Sequence, residues 1–293
     1  MSAPSENLEL VSPESKSVVF RFQVLNDAGQ FLEIVKYNLF TVILIEQGSG
    51  ELTADLSSSY FSPNSVISLS LYQPFNIAAD DNFKATVIQF HPEFFCLHRH
   101  RNEVSCNGVL FNNIYESPVM DLTAAEAKPL RGALAGMELE MKRSDNPDIE
   151  LLISYLKILL IGGSRLKVEK RNGENGPKSS HTPAILTGLK SAIEENFRLK
   201  HSPADYAGLL NITPAALNRI SKIHYNKTLS NLIAERLITE GKRELYLTAK
   251  PVKQIAYELG FNDEFYFSRY FKNSVGISPQ YFRDTVGFDK ANN

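Results

Sequence analysis

The chain has 293 residues, 43% hydrophobic and 22% charged, which is the composition of an ordinary soluble protein long enough for two domains with separate cores. Two cysteines are too few for a disulfide scaffold, and a net charge of -2 gives no general sign of a polyanionic partner. The charge is uneven, however: from residue 183 onward 15 lysines and arginines face 11 acidic residues, whereas residues 1–182 hold 16 against 22, so the C-terminal part favours an anionic partner.

Neither the N-terminus nor the most apolar run suggests a membrane protein. Residues 1–10 have no basic segment followed by an apolar one, so no signal peptide is expected. The most apolar run, residues 151–161, is too short to span a bilayer and contains Lys157. We therefore expect a cytoplasmic protein without a membrane partner.

Residues 18–90 contain short apolar and β-branched runs separated by Gly, Ser, Pro, Asn and Asp. The predicted strands are Val18–Val24, Leu39–Glu46, Glu51–Leu56, Val66–Tyr72, Phe75–Ala79 and Lys84–Phe90. Many short strands with such turns indicate an antiparallel β-barrel or sandwich, here expected to be jelly-roll-like (cupin-like). Candidate lining residues for an effector cavity are aromatic, and any barrel core would contain them too: Phe20, Phe22, Tyr37, Phe40, Tyr72 and Phe75.

Two amphipathic helices are predicted next, over Leu122–Arg143 and Ile149–Ile161. Their apolar faces could pack on the barrel of their own chain or form a helical dimer interface, and the sequence leaves both alternatives open. The second helix carries most of the apolar side chains in question: Leu151, Leu152, Ile153, Leu156, Leu159 and Leu160. Residues 162–182 are rich in Gly, Lys, Asn and Ser and are predicted to be a linker. The expected organisation is a regulatory domain over 1–161 with a helical dimerisation region at about 122–161, a linker over 162–182, and a third segment over 183–293.

The third segment is predicted to be entirely helical. The expected helices are Pro183–Leu199, Pro203–Leu210, Pro214–Tyr225, Leu229–Tyr246, Pro251–Leu259, Asp263–Ser274 and Pro279–Val286. Several begin with Pro, whose missing N–H is harmless in the first turn. Ser202, Thr213 and Ser278 precede such prolines as candidate N-caps.

One short pattern occurs twice within this segment. Residues 206–212 read Tyr-Ala-Gly-Leu-Leu-Asn-Ile, and residues 255–261 read Ile-Ala-Tyr-Glu-Leu-Gly-Phe. In each, a turn-former that tolerates positive φ, Asn211 or Gly260, precedes an apolar residue. The copies match again after the turn, with one residue inserted, at Leu217/Phe267, Arg219/Arg269 and Lys222/Lys272. A helix, a tight turn and a second helix with basic residues beside apolar anchors indicate a helix-turn-helix, here in two copies.

The second copy and its flank resemble the signature of the AraC/XylS family of transcription regulators. The resemblance lies in Ile255-Ala-Tyr-Glu-Leu-Gly-Phe-Asn-Asp263, in residues 265–272 and in residues 276–283. It implies a DNA-binding domain over about 183–288 and an N-terminal part for effector binding and dimerisation. The chain departs from the family at Phe265, where a small polar residue is usual, at Ser221, where an aromatic packs, and at Asn226, where Gly is usual.

Each recognition helix must turn one face inward and the other toward the major groove. Leu217 and Ile220 supply the inward face of the first, and Phe267, Tyr270 and Phe271 that of the second. The residues left for DNA contacts are Asn218, Arg219 and Lys222 in the first helix and Glu264, Phe265, Ser268, Arg269 and Lys272 in the second. Arg can bind guanine O6 and N7 with two hydrogen bonds, and Asn can do the same for adenine N6 and N7. The two Lys residues are better placed for phosphates.

A metal-dependent enzyme is the other class of protein that a cupin-like barrel suggests. The first 90 residues contain no His, which argues against metal catalysis in such a barrel, and no Walker loop or G-x-S-x-G elbow is present. A weaker candidate for metal or redox sensing is the cluster Cys96, His98, His100 and Cys106. Its spacing is unlike a zinc finger, and neighbouring Arg side chains oppose a cation.

We therefore predict a sequence-specific regulator that binds double-stranded DNA, is not an enzyme and needs no cofactor. A small-molecule effector, RNA polymerase and a second copy of the chain are its further expected partners. A helix over Leu229–Tyr246 would be about 27 Å long, a spacing suited to two successive major-groove segments. The alternative is a ligand- or metal-sensing cupin-like barrel protein whose helical tail serves protein contacts.

Overall fold

The computed structural model describes residues 6–55, 57–100, 104, 109–143, 146–174 and 184–287. The chain forms two compact units, one of Met1–Asn113 and Ser117–Arg171, the other of Ile114–Glu116 and Asn172–Asn293. The boundary after residue 171 falls inside the predicted linker. No helix in the described ranges combines the length and the apolar character needed to cross a membrane.

The first unit begins with an antiparallel β structure of two sheets. Its strands are β1 Glu6–Val11, β2 Val18–Leu25, β3 Phe40–Gln47, β4 Gly50–Ala54, β5 Ser57–Phe61, β6 Val66–Leu69, β7 Phe75–Ala79, β8 Lys84–Phe90 and β9 Val119–Met120. The larger sheet has the order β1-β2-β8-β3-β6-β9, and the smaller has the order β5-β4-β7. The antiparallel two-sheet fold confirms the expected class, and each of the six predicted strands is present.

Three strands were not predicted, because their stability comes from partners elsewhere in the chain. β5 is serine-rich, a composition typical of turns, yet it pairs with β4 in the register Leu52↔Ser59. β1 pairs along the whole of β2, and β9 pairs with β6. Strand β6 also ends earlier than predicted, at Leu69, because the chain turns there and Tyr72 takes a left-handed φ of 52°.

The strands at the centre of the large sheet are buried on both faces. Along β3, Ile43 and Ile45 point into the core between the sheets, whereas Val42 and Leu44 point to the opposite face, since side chains alternate along a strand. The core between the sheets is filled by large apolar side chains, including Phe31, Phe61, Ile67, Phe75, Ile77, Phe83 and Val87. Strands covered on both sides read as continuous apolar runs, which explains why β3 shows so little alternation.

This register corrects the predicted lining of the barrel. Phe75 lies in the core between the sheets, and Tyr37 packs against its ring at 6.1 Å. Phe20, Phe22 and Phe40 are buried on the opposite face of the large sheet, where Phe40 and its cross-strand partner Phe90 stack at 5.3 Å. They cannot line a cavity between the two sheets. The sequence did not reveal this because aromatic composition carries no information about which face is inside.

Two helices cover the opposite face of the large sheet: α1 Ala124–Met141 and α2 Ile149–Glu174. Thr123 caps α1, since its hydroxyl accepts a hydrogen bond from the Glu126 N–H while the Glu126 carboxylate accepts one from the Thr123 N–H. The space between the helices and this face is lined mainly by apolar side chains, together with Ser68 and Thr86: Val42, Leu44, Val66, Leu110, Leu130, Leu134, Leu159 and Leu160.

The predicted linker starts too early. Helix α2 does not end at Ile161 but continues to Glu174. Gly162 and Gly163 lie inside this helix, at positions that neighbouring side chains approach closely. A Cβ on Gly162 would lie 3.1 Å from Leu130, and one on Gly163 would lie 3.4 Å from Leu110. Lys167 continues the buried face, and its ammonium donates to the Ser117 carbonyl oxygen. Residues 175–182, the rest of the predicted linker, lie outside the described ranges.

The second unit is helical, as predicted. Its helices are α3 Ala184–Asn196, α4 Pro203–Leu209, α5 Pro214–Tyr225, α6 Leu229–Leu247, α7 Val252–Glu258, α8 Glu264–Val275 and α9 Pro279–Val286. The long helix α6 contacts α4, α5, α7, α8 and α9. Its buried stripe of Leu229, Leu232, Ile233, Leu237 and Leu245 forms the centre of the unit. The short segment Ile114–Glu116 belongs to this unit, and the Tyr115 hydroxyl donates to Glu194 on α3 at 2.7 Å.

Candidate nucleic-acid interface

The first helix-turn-helix consists of α4 and α5. Ser202 caps α4, since its hydroxyl accepts a hydrogen bond from the Asp205 N–H, and the Asp205 carboxylate accepts one from the Ser202 N–H at 3.2 Å. The chain then turns at Asn211, whose φ is 53°. Thr213 caps α5 by accepting a hydrogen bond from the Ala216 N–H at 3.2 Å. The helix ends at Asn226, also left-handed at φ 53°, so Asn takes the conformation for which Gly is usual.

The second helix-turn-helix consists of α7 and α8. Gly260 turns the chain with a φ of 81°, and a Cβ there would lie 1.9 Å from the carbonyl oxygen of Arg198. Only Gly fits this close approach. Asp263 caps α8, since its carboxylate accepts hydrogen bonds from the N–H groups of Phe265 and Tyr266 at 3.2 and 2.9 Å. Gly276 ends α8 at a φ of 91°.

Each recognition helix buries one face in the unit. Leu217 and Ser221 are buried in α5, and Phe267, Phe271 and Val275 are buried in α8. Phe261, the apolar residue after the Gly260 turn, packs against Phe267 with ring centroids 5.2 Å apart. Tyr270 is half-buried beside the Phe261 ring, and burial raises its pKa to about 12. This packing fixes which side of each recognition helix faces solvent.

The exposed faces of α5 and α8 present matched side chains. Arg219 and Lys222 are exposed in α5, and Arg269 and Lys272 occupy the corresponding exposed positions of α8. Four residues before each Arg, both helices have an exposed apolar residue, Ala215 in α5 and Phe265 in α8. Positions i, i+4 and i+7 share one face of a helix. The structure therefore brings three of the residues predicted for α8 into one surface stripe.

The remaining predicted residues lie at the edges of this surface. Glu264 and Ser268 are half-buried on α8. Asn218 is half-buried on α5, and its Oδ1 accepts a hydrogen bond from the Leu229 N–H at 2.9 Å. A two-bond contact with adenine needs both the oxygen and the nitrogen of the amide. In this geometry the oxygen is already used, which leaves only the amide N–H groups of Asn218 for DNA.

Four basic side chains lie on the exposed faces of α5 and α8. Within the described ranges, Arg219, Lys222, Arg269 and Lys272 have no carboxylate within ion-pair distance. Other basic residues of the unit are paired, such as Lys227 with Glu235 at 2.5 Å. Unpaired cations on an exposed helix face attract phosphates, since no internal ion pair must be broken on binding.

Three arginine side chains of this unit are paired with one buried carboxylate, that of Glu240. Glu240 on α6 is 4% exposed and accepts hydrogen bonds from Arg198, Arg236 and Arg243 at 2.7, 3.0 and 2.6 Å. Burial alone would raise its pKa, but the hydrogen bond and charge of Arg236, with the other two guanidinium groups, hold the pKa of Glu240 below its ordinary value. This ionic cluster is structural, and nothing in the sequence pattern pointed to it.

Ser221 is a second buried polar residue that the sequence left unexplained. Its side chain is fully buried, and its hydroxyl donates to the Lys227 carbonyl oxygen at 2.8 Å. An aromatic ring is usual at this position in the family that the sequence resembles. Here the Ser221 hydroxyl binds the turn between α5 and α6 instead, so this buried polar group has a hydrogen-bond partner.

The cysteine and histidine cluster is only partly described. Cys96 is buried, and the ring of His100 stacks on Phe95 with centroids 4.5 Å apart. Cys106 lies outside the described residues. Among the residues that the structure describes, no group of three or more metal-ligating side chains could hold an ion. Metal sensing through Cys96, His98, His100 and Cys106 stays an untested prediction.

Comparison with known proteins shows that part of the helical unit is similar to known transcription regulators. Residues 206–285 match the model of a helix-turn-helix domain. Over 97 residues the chain is 30% identical to the raffinose operon transcriptional regulatory protein RafR of Pediococcus pentosaceus, covering 33% of this chain and 35% of RafR. Over 91 residues it is 31% identical to the HTH-type transcriptional activator RhaS of Mannheimia succiniciproducens, covering 31% and 34%. The match thus spans about a third of these relatives.

Solved structures give two further likenesses. ToxT from Vibrio cholerae O395 is 18% identical, with 97% of each chain covered and a TM-score of 0.40. A transcriptional regulator of the AraC-type DNA-binding kind from Chromobacterium violaceum is 24% identical, covering 36% of this chain and 96% of its own, with a TM-score of 0.33. The classification rests on the sequence matches and on the two helix-turn-helix units. Residues 206–285 of this chain thus match a helix-turn-helix domain and are similar to the corresponding part of these transcription regulators.

Proposed function

We propose that the protein regulates transcription by binding a specific double-stranded DNA site through α5 and α8. The observation that carries this proposal is the matched pair of exposed faces, each with an Arg and a Lys at the same positions that form no ion pair with any described residue. Each Arg lies in the N-terminal half of its helix, the part that approaches base edges. Each Lys follows about one turn later, where phosphates are the expected contact. The relatives named above are likewise transcriptional regulators.

One protomer is proposed to contact two successive major-groove segments. Helix α6 has 19 residues and is therefore about 28 Å long. Because it packs against both helix-turn-helix units, it holds them as one body. Successive major-groove segments on one face of DNA are about 34 Å apart. Helix α6 thus has the dimensions of a spacer between two recognition helices.

Binding to selected duplexes tests the function. We expect the full chain to select one sequence from random DNA and to bind it more weakly as salt increases. Hydroxyl-radical footprinting of that site should show two protected segments one helical turn apart for each protomer. A single protected segment would reject the two-groove arrangement but leave DNA binding intact. Equal affinity for all duplexes would instead favour the alternative, a sensing barrel protein whose helical tail serves protein contacts.

A second copy of the chain is a proposed partner through α1 and α2. Leu152, Leu156, Leu159 and Leu160 are buried within the unit, so most of the apolar face of α2 covers its own sheet. Leu139, Ile149, Leu151 and Ile158 remain exposed on the two helices. We expect the double variant Leu151→Glu and Ile158→Glu to abolish dimers in sedimentation velocity. Leu199→Glu, which changes a still more exposed Leu in the other unit, is the control and should leave dimers intact.

The first unit is proposed to modulate DNA binding by taking a small-molecule effector, and RNA polymerase is the proposed further partner of the bound complex. A regulator of this kind works where the DNA is, so we place it in the cytoplasm, and we propose no catalytic activity. The packed core between the sheets gives no chemical identity for an effector. A change in DNA affinity when a metabolite library is screened against the full chain would identify one.

A further inference from the structure

Phe265 is an exposed aromatic residue on the surface proposed to face DNA. It is the second residue of α8, and its side chain is 75% exposed. No ring contact joins it to another aromatic residue in the described part of the chain, whereas its neighbour Tyr266 packs against Phe261 at 5.8 Å. Single exposed apolar residues are common on protein surfaces. The place of Phe265 in the recognition helix, and not its exposure alone, is what gives it meaning.

Phe265 lies on the same face of α8 as the basic residues of that helix. Phe265 lies four residues before Arg269 and seven before Lys272, so the three side chains share one face of α8. The first residues of a recognition helix are those that approach base edges in the major groove. If Arg269 reaches a base, Phe265 lies one turn closer to the helix N-terminus and meets a neighbouring base pair.

The backbone at this position is held firmly. The Asp263 carboxylate accepts hydrogen bonds from the N–H groups of both Phe265 and Tyr266. Tyr266 is itself fixed against Phe261 and Tyr270. The direction in which the Phe265 side chain leaves the helix is therefore set before DNA is bound, and little backbone ordering remains for the complex to supply.

A phenyl ring restricts what can be recognised in the groove. It has no hydrogen-bond donor or acceptor, so it cannot read the polar base edges. The only apolar group that a standard base presents in the major groove is the C5-methyl group of thymine. The corresponding residue of the first helix-turn-helix, Ala215, is also exposed and apolar. Resting on the proposed function, we infer that Phe265 contacts a thymine methyl group and makes this protein prefer thymine at one position of its DNA site.

Replacing thymine by uracil tests the inference, because uracil keeps every base-pairing group and removes only the methyl group. Each thymine of the selected site is changed to uracil in turn, and binding of the full chain is measured at fixed salt. We expect about a fourfold loss of affinity at one thymine, the effect of removing one buried apolar carbon from a contact. With Phe265→Ala, that position should bind thymine and uracil equally.

Controls separate the methyl contact from other effects. Tyr281→Ala removes another exposed aromatic residue, on α9, and should leave the thymine preference unchanged. Thermal unfolding of Phe265→Ala should match the wild type, because the removed ring is exposed. Equal binding of the wild type to every uracil-substituted duplex would overturn the inference, as would a Phe265→Ala variant that still distinguishes thymine from uracil. Either result leaves the proposed function standing. If the wild type fails to select any duplex, the proposed function fails first.

Discussion

The side-chain Oδ1 of Asn218 accepts a hydrogen bond of 2.9 Å from the backbone N–H of Leu229. Asn218 lies in the first recognition helix, and Leu229 is the first residue of the long central helix. The bond satisfies one of the N–H groups that a helix leaves without an internal partner at its start. It therefore ties the orientation of α5 to that of α6, and through α6 to the second helix-turn-helix.

Removing this acceptor should loosen the domain. We expect Asn218→Ala to lower the free energy of unfolding by about 1 kcal/mol, because the Leu229 N–H loses its partner. Asn218→Asp keeps an oxygen in place and should recover most of that loss. Urea denaturation of the three proteins measures both effects. Equal stability of the Ala variant and the wild type would show that water replaces the side chain at no cost.

Arg269 is expected to read a base. Arg269→Ala should weaken binding to the selected site by about 1–3 kcal/mol and have little effect on random DNA, so that the preference at one base pair is lost. Arg269→Lys should not restore it, because an ammonium cannot make the two-bond contact of a guanidinium. Competition binding with single-base variants of the site is the measurement. An equal loss on specific and random DNA would assign Arg269 to a phosphate.

Lys222 and Lys272 are expected to bind phosphates. Each Lys→Ala change should weaken binding to selected and random duplexes alike, and should reduce the slope of log affinity against log salt by about 1. Lys128→Ala, which removes an exposed Lys of α1 in the other unit, is the matched control and should leave the slope unchanged. Salt titrations of binding distinguish the three variants. A slope unaffected by Lys222→Ala and Lys272→Ala would mean that neither side chain meets the backbone.

Glu240 should make stability depend on pH. Its pKa is lowered in the folded protein, so its ionised form stabilises the fold at neutral pH, and that contribution is lost as the pH falls through the folded pKa, which lies below the ordinary value of a glutamate. We expect Glu240→Gln to cost roughly 2 kcal/mol at pH 7, because three guanidinium groups lose their carboxylate. The difference from the wild type should shrink in acid.

Chemical denaturation at pH 7 and at pH 4 or below measures this difference. Glu195→Gln is the control, since Glu195 is exposed on α3 and forms no ion pair among the described residues. It should be neutral at both pH values. A Glu240→Gln penalty that is the same in acid as at neutral pH would mean that packing of the side chain, and not its charge, stabilises the cluster.

Gly260 should tolerate no side chain. A Cβ at this position would lie 1.9 Å from the Arg198 carbonyl oxygen, and φ is 81°. We expect Gly260→Ala to destabilise the domain by roughly 3 kcal/mol or more. Gly208→Ala is the matched comparison: it lies in α4 of the first helix-turn-helix, with nothing within 4 Å of an added Cβ, and should be stabilising by about 0.5–1 kcal/mol. Differential scanning calorimetry would rank the three proteins, and similar melting temperatures for both variants would contradict the tight turn at Gly260.

The helical unit was predictable because its signals are local. Ser202, Thr213 and Ser278 cap the helices that follow them, as their positions before proline suggested. Asn211 and Gly260 take the positive φ expected of their turns. An N-cap or a left-handed turn depends on a few neighbouring residues, so it can be predicted from a short stretch of sequence. The contacts of the individual site residues with DNA remain predictions.

The β unit was predictable as a class but not in its pairing. The serine-rich β5 was missed because a partner strand, and not its own composition, makes it a strand. The glycines at 162 and 163 suggested a linker, yet they allow α2 to approach Leu130 and Leu110. In both places a residue that weakens local structure is accommodated by a distant neighbour.

The sequence alone predicted the fold classes, the two helix-turn-helix units and the resemblance to AraC/XylS regulators, since periodicity, caps and turn residues act over a few positions. Only the tertiary structure decided that Phe20, Phe22 and Phe40 face away from the core between the sheets, because register is set by strand pairing. It also decided that Asn218 holds α6 and that Glu240 gathers three arginines. The Asn218–Leu229 and Arg198–Glu240 contacts join residues 11 and 42 positions apart, and their formation depends on how the helices pack.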